Sequence, residues 1–287
     1  MTQVIVVGLN GLTLGALYFL VASGFTLIFG LMRVVNLAHG SLYLFGGYVG
    51  WSVADRTGSW VAGVVAGALG MGVVGLVIQQ LLLRPIQGQD LREALVTIGL
   101  AIVVADLLLA SYGGLTYGFS PPPAIYGATD LRLAGVIYPT YRIFLVALAA
   151  AVGLALWLLL NRTRLGITVR AAIDDPAMVS ALGINIQVVF ALLFALGAAL
   201  AGLAGVIGGS ALSLSTGEDQ RYLLASLIVV IIGGLGSLPG AAIGAALVGL
   251  VEQYGLYYAP YYSATITIAV MVAVLAVRPQ GLLGRAG

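Results

Sequence analysis

"VIVVGLNGLTLGALYFLVASGFTLIF", Val4–Phe29, decides the fold class, because it contains no charged residue and exceeds the roughly 20 apolar residues that cross a bilayer. The chain of 287 residues is 61% hydrophobic and 8% charged, whereas a soluble domain is about a quarter charged. The sequence therefore predicts an all-α polytopic membrane protein, with one transmembrane domain over residues 1–287. Further long apolar runs are Trp60–Leu83, Ala94–Tyr112, Tyr141–Leu160, Val188–Leu212 and Ala264–Val277.

Three shorter apolar runs, Ser41–Val53, Leu223–Ile232 and Ala241–Leu256, complete the pattern. At 1.5 Å per residue, Leu223–Ile232 reaches only about half-way across a bilayer. This run and the glycine-rich turn after it therefore predict a broken or re-entrant element. Counting all the runs, we expect eight or nine crossings.

Missing residue types restrict the chemistry. There is no cysteine and only one histidine, His39, which excludes thiol catalysis, disulfides and a multi-histidine metal site. All twelve basic residues are arginine, so the chain has neither a P-loop lysine nor a Schiff-base lysine. We expect no catalytic residue, cofactor or metal on this chain, and any ATP and Mg²⁺ on a partner.

Arginine placement predicts the orientation, because arginine-rich loops stay in the cytoplasm. Alternating crossings place eight arginines inside and Arg56, Arg132, Arg142 and Arg221 outside. The C-terminus and the loop of residues 161–187 are then cytoplasmic, and nine crossings would leave the N-terminus outside. The loop of residues 113–139, which contains "SPPPAIYG", is then external, as a cap, a docking surface or a connector. The eight inside arginines are Arg33, Arg84, Arg92, Arg162, Arg164, Arg170, Arg278 and Arg285.

Small residues recur at intervals of four, a spacing that lets helix backbones approach closely in lipid. We expect them to pack within the bundle, with a subunit interface as the alternative. They are Gly63 and Gly67, then Ala201, Gly205 and Gly209, then Gly240 and Gly244, and finally Ala241, Ala245 and Gly249.

The segment "NRTRLGITVRAAIDDPAMVSALGIN", Asn161–Asn185, carries a helix start and a helix stop. Asp175 can accept hydrogen bonds from the first free N–H groups, and Pro176 suits the first helical position. Gly183 suits a left-handed residue after the helix. These signals predict a two-turn helix, 176–182, which is too short to be stable alone and must pack on lipid headgroups, helix ends or a partner.

Polar residues interrupt the apolar sequence in "RVVNLAHGSLYLFGG". Non-helical backbone at membrane depth is tolerated only in protein or beside water, and broken helices often form solute sites. Asn36, His39 and Ser41 are therefore candidates for a solute site or gate, and the alternative is a tight turn whose side chains cap helices. "IIGGLGSLPGAAIG", with Gly233, Gly234 and Gly236, is a possible counterpart in an internal repeat.

Three further polar residues, Asn10, Asp106 and Glu252, lie within the apolar runs. Asp106 is nearest the centre of its run, where a carboxylate normally faces protein or water. It is either a proton relay, as in a secondary transporter, or a protonated or arginine-paired structural group. Asn10 and Glu252 lie close to the ends of their runs.

The segment "TRLGITVRAAIDDPAMVSALGIN" resembles the cytoplasmic loop of permease subunits in branched-chain amino-acid ABC importers. "NGLTLGALYFLVASGFTLIFGLMRVVNLAHGSLYLFGGYV", "GGLGSLPGAAIGAALVGLVE" and "RPQGLLGR" agree, and the likeness, closest to the H-like subunit, covers nearly the whole chain. The resemblance implies a bacterial cytoplasmic-membrane heterodimer of permeases with two ATPases and an extracytoplasmic solute-binding protein. It makes the loop a coupling element that docks on an ATPase, although "RAA" replaces the general Glu-Ala-Ala. The coupling candidates are Arg164, Gly166, Arg170, Ala171, Asp174, Asp175, Pro176, Met178, Gly183 and Ile184.

Lacking lysine and any evident cluster of buried charge, the sequence predicts a neutral or zwitterionic solute. The family implies leucine, isoleucine or valine, and related permeases take urea, short amides or other amino acids. The alternative function is a proton-coupled secondary transporter that uses Asp106. A membrane-embedded hydrolase is a third possibility, for which no nucleophile with a base is evident.

Overall fold

The computed structural model describes residues 2–32, 35–131 and 136–284 and shows an almost wholly helical chain. Arg33, Arg132 and Arg285 lie outside these residues. Short 3₁₀ turns cover Arg84–Ile86 and Pro260–Tyr262, and a π-helical turn, Ile78–Leu83, extends α3. The helices are α1 Thr2–Met32, α2 His39–Thr57, α3 Trp60–Val77, α4 Asp90–Tyr112, α5 Thr140–Arg162, α6 Arg164–Asp174, α7 Pro176–Ala181, α8 Ile186–Leu212, α9 Asp219–Gly233, α10 Leu238–Tyr258 and α11 Ser263–Val277.

Six helical segments among the described residues are long and apolar enough to cross a membrane: α1, α3 with its extension, α4, α5, α8, and α11 with the 3₁₀ turn before it. Helices α9 and α10 pass the same test only together and are bent by 119°. The predicted broken element is therefore present, and six or seven spans replace the expected eight or nine. The higher count arose because the runs in α2 and α10 were taken as crossings, whereas α2 carries too many polar residues and α10 passes the test only together with α9.

The two ends of the bundle carry different structures. At the end that we call the hairpin end, β1 (Ala128–Leu131) pairs antiparallel with β2 (Val136–Pro139), with Thr129 opposite Tyr138. The Tyr138 hydroxyl lies 2.9 Å from the Thr13 hydroxyl of α1. The opposite end, which we call the loop end, carries α6 and α7. There the Gln187 side chain donates a 2.8 Å hydrogen bond to Gln87.

Glycines allow the central helices to lie close together. A side chain at Gly11 or Gly15 of α1 would meet the α10 backbone, and one at Gly249 of α10 would meet α1. Gly205 of α8 lies against the Tyr43 carbonyl of α2 in the same manner. The small-residue pattern therefore packs helices within this chain, which is the geometry that such spacing favours.

Two helices begin inside the bundle rather than at its ends. The first turn of α2 lies against α1, where the His39 ring contacts the Val21 carbonyl near the middle of that helix. The first residue of α9, Asp219, lies against Gly40 of α2. The chain therefore enters the bundle as non-helical backbone before α2 and before α9, and the first turns of these two helices contact each other.

Candidate functional site

The break before α2 is buried and tied to its neighbours. Asn36 and His39 are fully buried, and the Asn36 side-chain oxygen accepts a 3.1 Å hydrogen bond from the Ala38 N–H. The Leu37 N–H donates to the Thr97 hydroxyl of α4 at 3.2 Å. His39 Nε2 lies 2.9 Å from the Val21 carbonyl oxygen, and its ring meets Phe25 edge-on. Asn36 and Thr97 therefore satisfy two backbone N–H groups of the turn, although no side chain caps the start of α2.

The starts of α2 and α9 are joined by a buried polar contact. The Ser41 hydroxyl donates a 3.1 Å hydrogen bond to Asp219 Oδ2, and both residues are buried. Gly40 packs so closely on the Asp219 carbonyl that no side chain fits there. Ser41, one of the predicted gate residues, therefore lies beside a carboxylate near the middle of the bundle.

A charged network adjoins this contact. Glu252 of α10 accepts a 2.6 Å hydrogen bond from the Tyr18 hydroxyl of α1 and one of 3.1 Å from Arg221 of α9. The Tyr222 ring lies against the Tyr43 ring, with centroids 4.0 Å apart. Tyr18 is near the middle of α1, about 20 Å from either end at 1.5 Å per residue. Of the charged residues around this contact, Asp219 is buried, Glu252 is partly buried and Arg221 is half exposed.

Gly233, Gly234 and Gly236 lie at the other end of α9, about 20 Å from Asp219 at 1.5 Å per residue. Gly233 packs on Gly240, and Gly236 packs on Gly30. The terminal segment continues this contact, because the Leu282 and Leu283 N–H groups donate to the Ile232 and Gly233 carbonyls. These glycines form a close-packed turn at the opposite end of α9 from Asp219 and Ser41. Their role in a gate stays a prediction.

The loop between α5 and α8 folds as two helices. Thr163 caps α6 by accepting a hydrogen bond from the Gly166 N–H at 3.2 Å, and the Asp175 side chain caps α7 by accepting one from the Met178 N–H at 2.9 Å. Gly183 has φ +82°, the left-handed conformation predicted for the stop. The capped helix is confirmed. The sequence prediction missed α6, whose buried Val169 packs into the core.

Helix α7 rests on its neighbours through one side and exposes the other. Val179 is buried, whereas Met178 is 62% and Leu182 69% exposed. Ile167 of α6 and Ile184 are also exposed. We call Ile167, Met178, Leu182 and Ile184 the loop-end patch. Exposed apolar surface of this kind typically marks an interaction site.

The other predicted coupling residues frame this patch. Gly166 lies against the Leu160 carbonyl, and Arg170 donates a hydrogen bond to the same carbonyl. Arg164 and Ala171 are exposed on α6. The side chains of Asp174 and Pro176 lie outside the described part of the structure. No observation on these residues tests their coupling role, which stays a prediction.

Comparison with known proteins agrees with this architecture. Residues 7–275 match the family described as "Branched-chain amino acid transport system / permease component". The chain belongs to this family. It is 32% identical to the high-affinity branched-chain amino acid transport system permease protein LivH of Escherichia coli K12, over 96% of this chain and 94% of LivH. It is 29% identical to the corresponding protein BraD of Pseudomonas aeruginosa, with the same coverage.

Two further similarities extend the comparison. The permease protein LivM of the same Escherichia coli transport system is 28% identical over 94% of this chain and 68% of LivM. Among solved structures, a chain of "PsaBC from Streptococcus pneumoniae in complex with Fab" superposes with a TM-score of 0.51 at 12% identity. That match covers 93% of this chain and 89% of the other, and it shows the fold alone. This permease is thus a multi-pass membrane protein.

The three polar residues within the apolar runs of this permease, Asn10, Asp106 and Glu252, lie in different surroundings. Asn10 accepts hydrogen bonds from Tyr138 and Arg142, and Glu252 lies in the central network, so both hold helices together. Asp106 is exposed on α4 and makes no hydrogen bond with any described residue. Asp106 was recognised from the sequence as a candidate functional residue. Arg221 was not recognised, because the arginine count placed it outside the membrane. The signal for Arg221 was its position directly before an apolar run, where it falls in the first turn of a helix.

Proposed function

We propose that this chain is the permease subunit of an ABC importer that moves a small neutral or zwitterionic solute inward across the bacterial cytoplasmic membrane. Branched-chain amino acids are the favoured solutes, because the relatives LivH and BraD are named for their transport. Urea or a short amide is the weaker alternative, since neither name includes such a solute. ATP and Mg²⁺ bind to partner chains, and this chain holds no cofactor.

The observation that carries the proposal is the loop-end patch on two capped helices. Helix α7 has six residues and depends on its caps and on Val179 for its position. Those contacts leave Met178 and Leu182 exposed, which suits insertion into a groove on another protein. The loop end is the arginine-rich end, where α5 finishes with Arg162 and α6 begins with Arg164, and such loops favour the cytoplasm. A cytoplasmic ATPase is the partner that we assign to this patch.

The remaining partners follow from the same proposal. A second homologous permease completes the pathway, and the similarity to both LivH and LivM supports a heterodimer. Two ATPases bind at the loop end, and a solute-binding protein delivers solute at the hairpin end. Docking moves α6 and α7, and the motion passes to α8, which follows α7 after four residues and is largely buried in the core.

The proton-coupled alternative is less well supported. Asp106 is exposed on α4. The central carboxylate that could carry a proton, Glu252, is already paired with Arg221 and Tyr18. A relay needs titratable groups in sequence across the membrane. Nothing described in α4 connects Asp106 to the central network.

Reconstituted transport tests the proposal. The complex of both permeases and both ATPases, placed in liposomes with the binding protein outside, should accumulate labelled leucine only when ATP is hydrolysed. Collapse of the proton gradient should leave the uptake rate unchanged. Proton-driven uptake by the permease without ATPases would overturn the proposal.

A pair of variants tests the docking assignment. Met178→Asp with Leu182→Asp places charges in the loop-end patch and should reduce ATPase co-purification about tenfold or more, as expected when an apolar anchor is lost. Arg56→Gln, an exposed change at the far end of α2, is the control and should retain the ATPases. Equal co-purification of the two proteins would place the ATPase elsewhere.

A further inference from the structure

Arg221 occupies an unusual position for a charged side chain. Its ion pair with Glu252 and the contact between Glu252 and Tyr18 place it beside the middle of α1, yet half of its side chain is exposed. An arginine in contact with lipid at the centre of a span costs about 2.5–3.5 kcal/mol on insertion scales. The outer face of α9 must therefore meet water or protein rather than lipid.

The Arg221 guanidinium can donate further hydrogen bonds in addition to the one to Glu252. Arginine carries five N–H donors in a planar fork that matches a carboxylate through two parallel hydrogen bonds. Within the described residues, Arg221 donates one side-chain hydrogen bond, to Glu252. The Glu252 carboxylate is only 19% exposed and also accepts from Tyr18, so it is held in place. This contact fixes the guanidinium and leaves other donors directed away from the bundle.

A carboxylate and an apolar side chain flank Arg221, one on each side. Glu218 precedes it by three residues and Leu224 follows it by three, a spacing that places side chains together on a helix. Glu218 is half-buried, and its carboxylate makes no hydrogen bond with any residue that the structure describes. Leu224 is 58% exposed. A carboxylate thus lies about one helical turn before Arg221, and an apolar side chain lies about one turn after it.

We propose that this face of α9 is a binding site for the head group of an α-amino acid during its passage. Arg221 binds the solute carboxylate, Glu218 accepts from the ammonium group, and Leu224 contacts the aliphatic side chain. Glu252 and Tyr18 are positioning residues that hold the guanidinium. The inference rests on the proposed function and adds the place and the chemistry of solute recognition within this permease.

The absence of cysteine from this chain allows a direct test. Leu224→Cys supplies one thiol beside Arg221 in the assembled complex, and Ile102→Cys supplies a matched thiol on the exposed apolar face of α4. A water-soluble maleimide should label Leu224→Cys rapidly and Ile102→Cys slowly. Leucine should slow the first reaction in a concentration-dependent manner. A Leu224→Cys thiol as unreactive as the α4 thiol, or one that leucine does not protect, would overturn the proposal.

Arg221 variants then test the assigned contact. In the Leu224→Cys background, Arg221→Gln should raise the half-protecting leucine concentration about tenfold or more, because the charge-assisted hydrogen bonds to the solute carboxylate are lost. Arg221→Lys, which keeps the charge without the fork, should give an intermediate value. Co-purification of the partner chains confirms that each variant is assembled. Unchanged protection in an assembled Arg221→Gln complex would exclude the contact.

A probe series needs no change at position 221. Isovalerate retains the carboxylate and aliphatic group of leucine, whereas isoamylamine retains the ammonium and aliphatic groups. Leucine should protect best and isovalerate next, with isoamylamine the weakest. Equal protection by all three would show an apolar contact only and would overturn the head-group assignment. ATP-driven leucine uptake by the unmodified complex tests the proposed function separately, so failure of either proposal is distinguishable.

Discussion

Helices α1 and α4 are similarly apolar, yet they occupy opposite positions in the molecule. In the most apolar part of α1, 56% of the residues are buried, against 11% in α4. Both helices are long enough to span a membrane. Hydrophobicity therefore places a helix in the bilayer but does not say whether it faces protein or lipid, because lipid is as apolar as a protein interior.

Glycine contacts distinguish the two helices. Gly15 and Gly24 of α1 lie against the backbones of α10 and α8, where a side chain would collide. Gly99 of α4 has no atom within 4 Å of the position where a side chain would begin. Close backbone approach, rather than the presence of glycine, marks the bundle centre.

Polar side chains show the same contrast. Tyr18 and Thr13 of α1 make hydrogen bonds to Glu252 and Tyr138, which lie on other elements. Asp106 of α4 is exposed and unpaired among the described residues. Polar groups thus join the central helices to each other, whereas Asp106 joins α4 to no described residue.

Replacing glycine by leucine should give the largest difference between the two helices. Gly15→Leu should destabilise the protein by about 3 kcal/mol or more, because the α10 backbone cannot move away cheaply. Gly99→Leu should change stability by less than about 1 kcal/mol, as surface substitutions do. Thermal denaturation of the detergent-solubilised chain measures both. Similar losses would contradict the assigned packing of α1 and α10.

Removing one hydroxyl should have an intermediate effect. Tyr18→Phe deletes the 2.6 Å hydrogen bond to Glu252, and bonds to charged groups contribute about 1.5–3 kcal/mol. The control is Tyr254→Phe, which deletes an exposed hydrogen bond to the Val4 carbonyl and should cost less than about 1 kcal/mol. The denaturation midpoint should fall further for Tyr18→Phe than for Tyr254→Phe. A larger loss for Tyr254→Phe would contradict the importance of the central network for stability.

Neutralising Asp106 should have the smallest effect. Asp106→Asn keeps the shape of the side chain and breaks no contact with a described residue, so stability should change by less than about 0.5 kcal/mol. ATP-driven leucine uptake by the reconstituted complex should remain within about twofold. Loss of uptake with normal assembly would favour the proton-relay alternative.

Part of the candidate site was predictable because its signals are local. The Asp175, Pro176 and Gly183 signals act within one or two turns, and the helix that they predict is present. Asn36, His39 and Ser41 were recognisable as polar residues in an apolar context. The pairing of Arg221 with Glu252 was not recognised, because 31 residues separate them and only the bent α9–α10 pair brings them together.

The sequence alone determined that this protein is an all-α membrane protein without lysine or cysteine, since hydrophobicity and composition are sums over the chain. It also determined where the loop-end helix begins and ends, because caps depend on neighbouring residues. Only the tertiary structure decided which spans are central. It also decided that Arg221 pairs with Glu252 beside the middle of α1 and is half exposed there. These properties depend on which distant helices meet, and no local pattern records that choice.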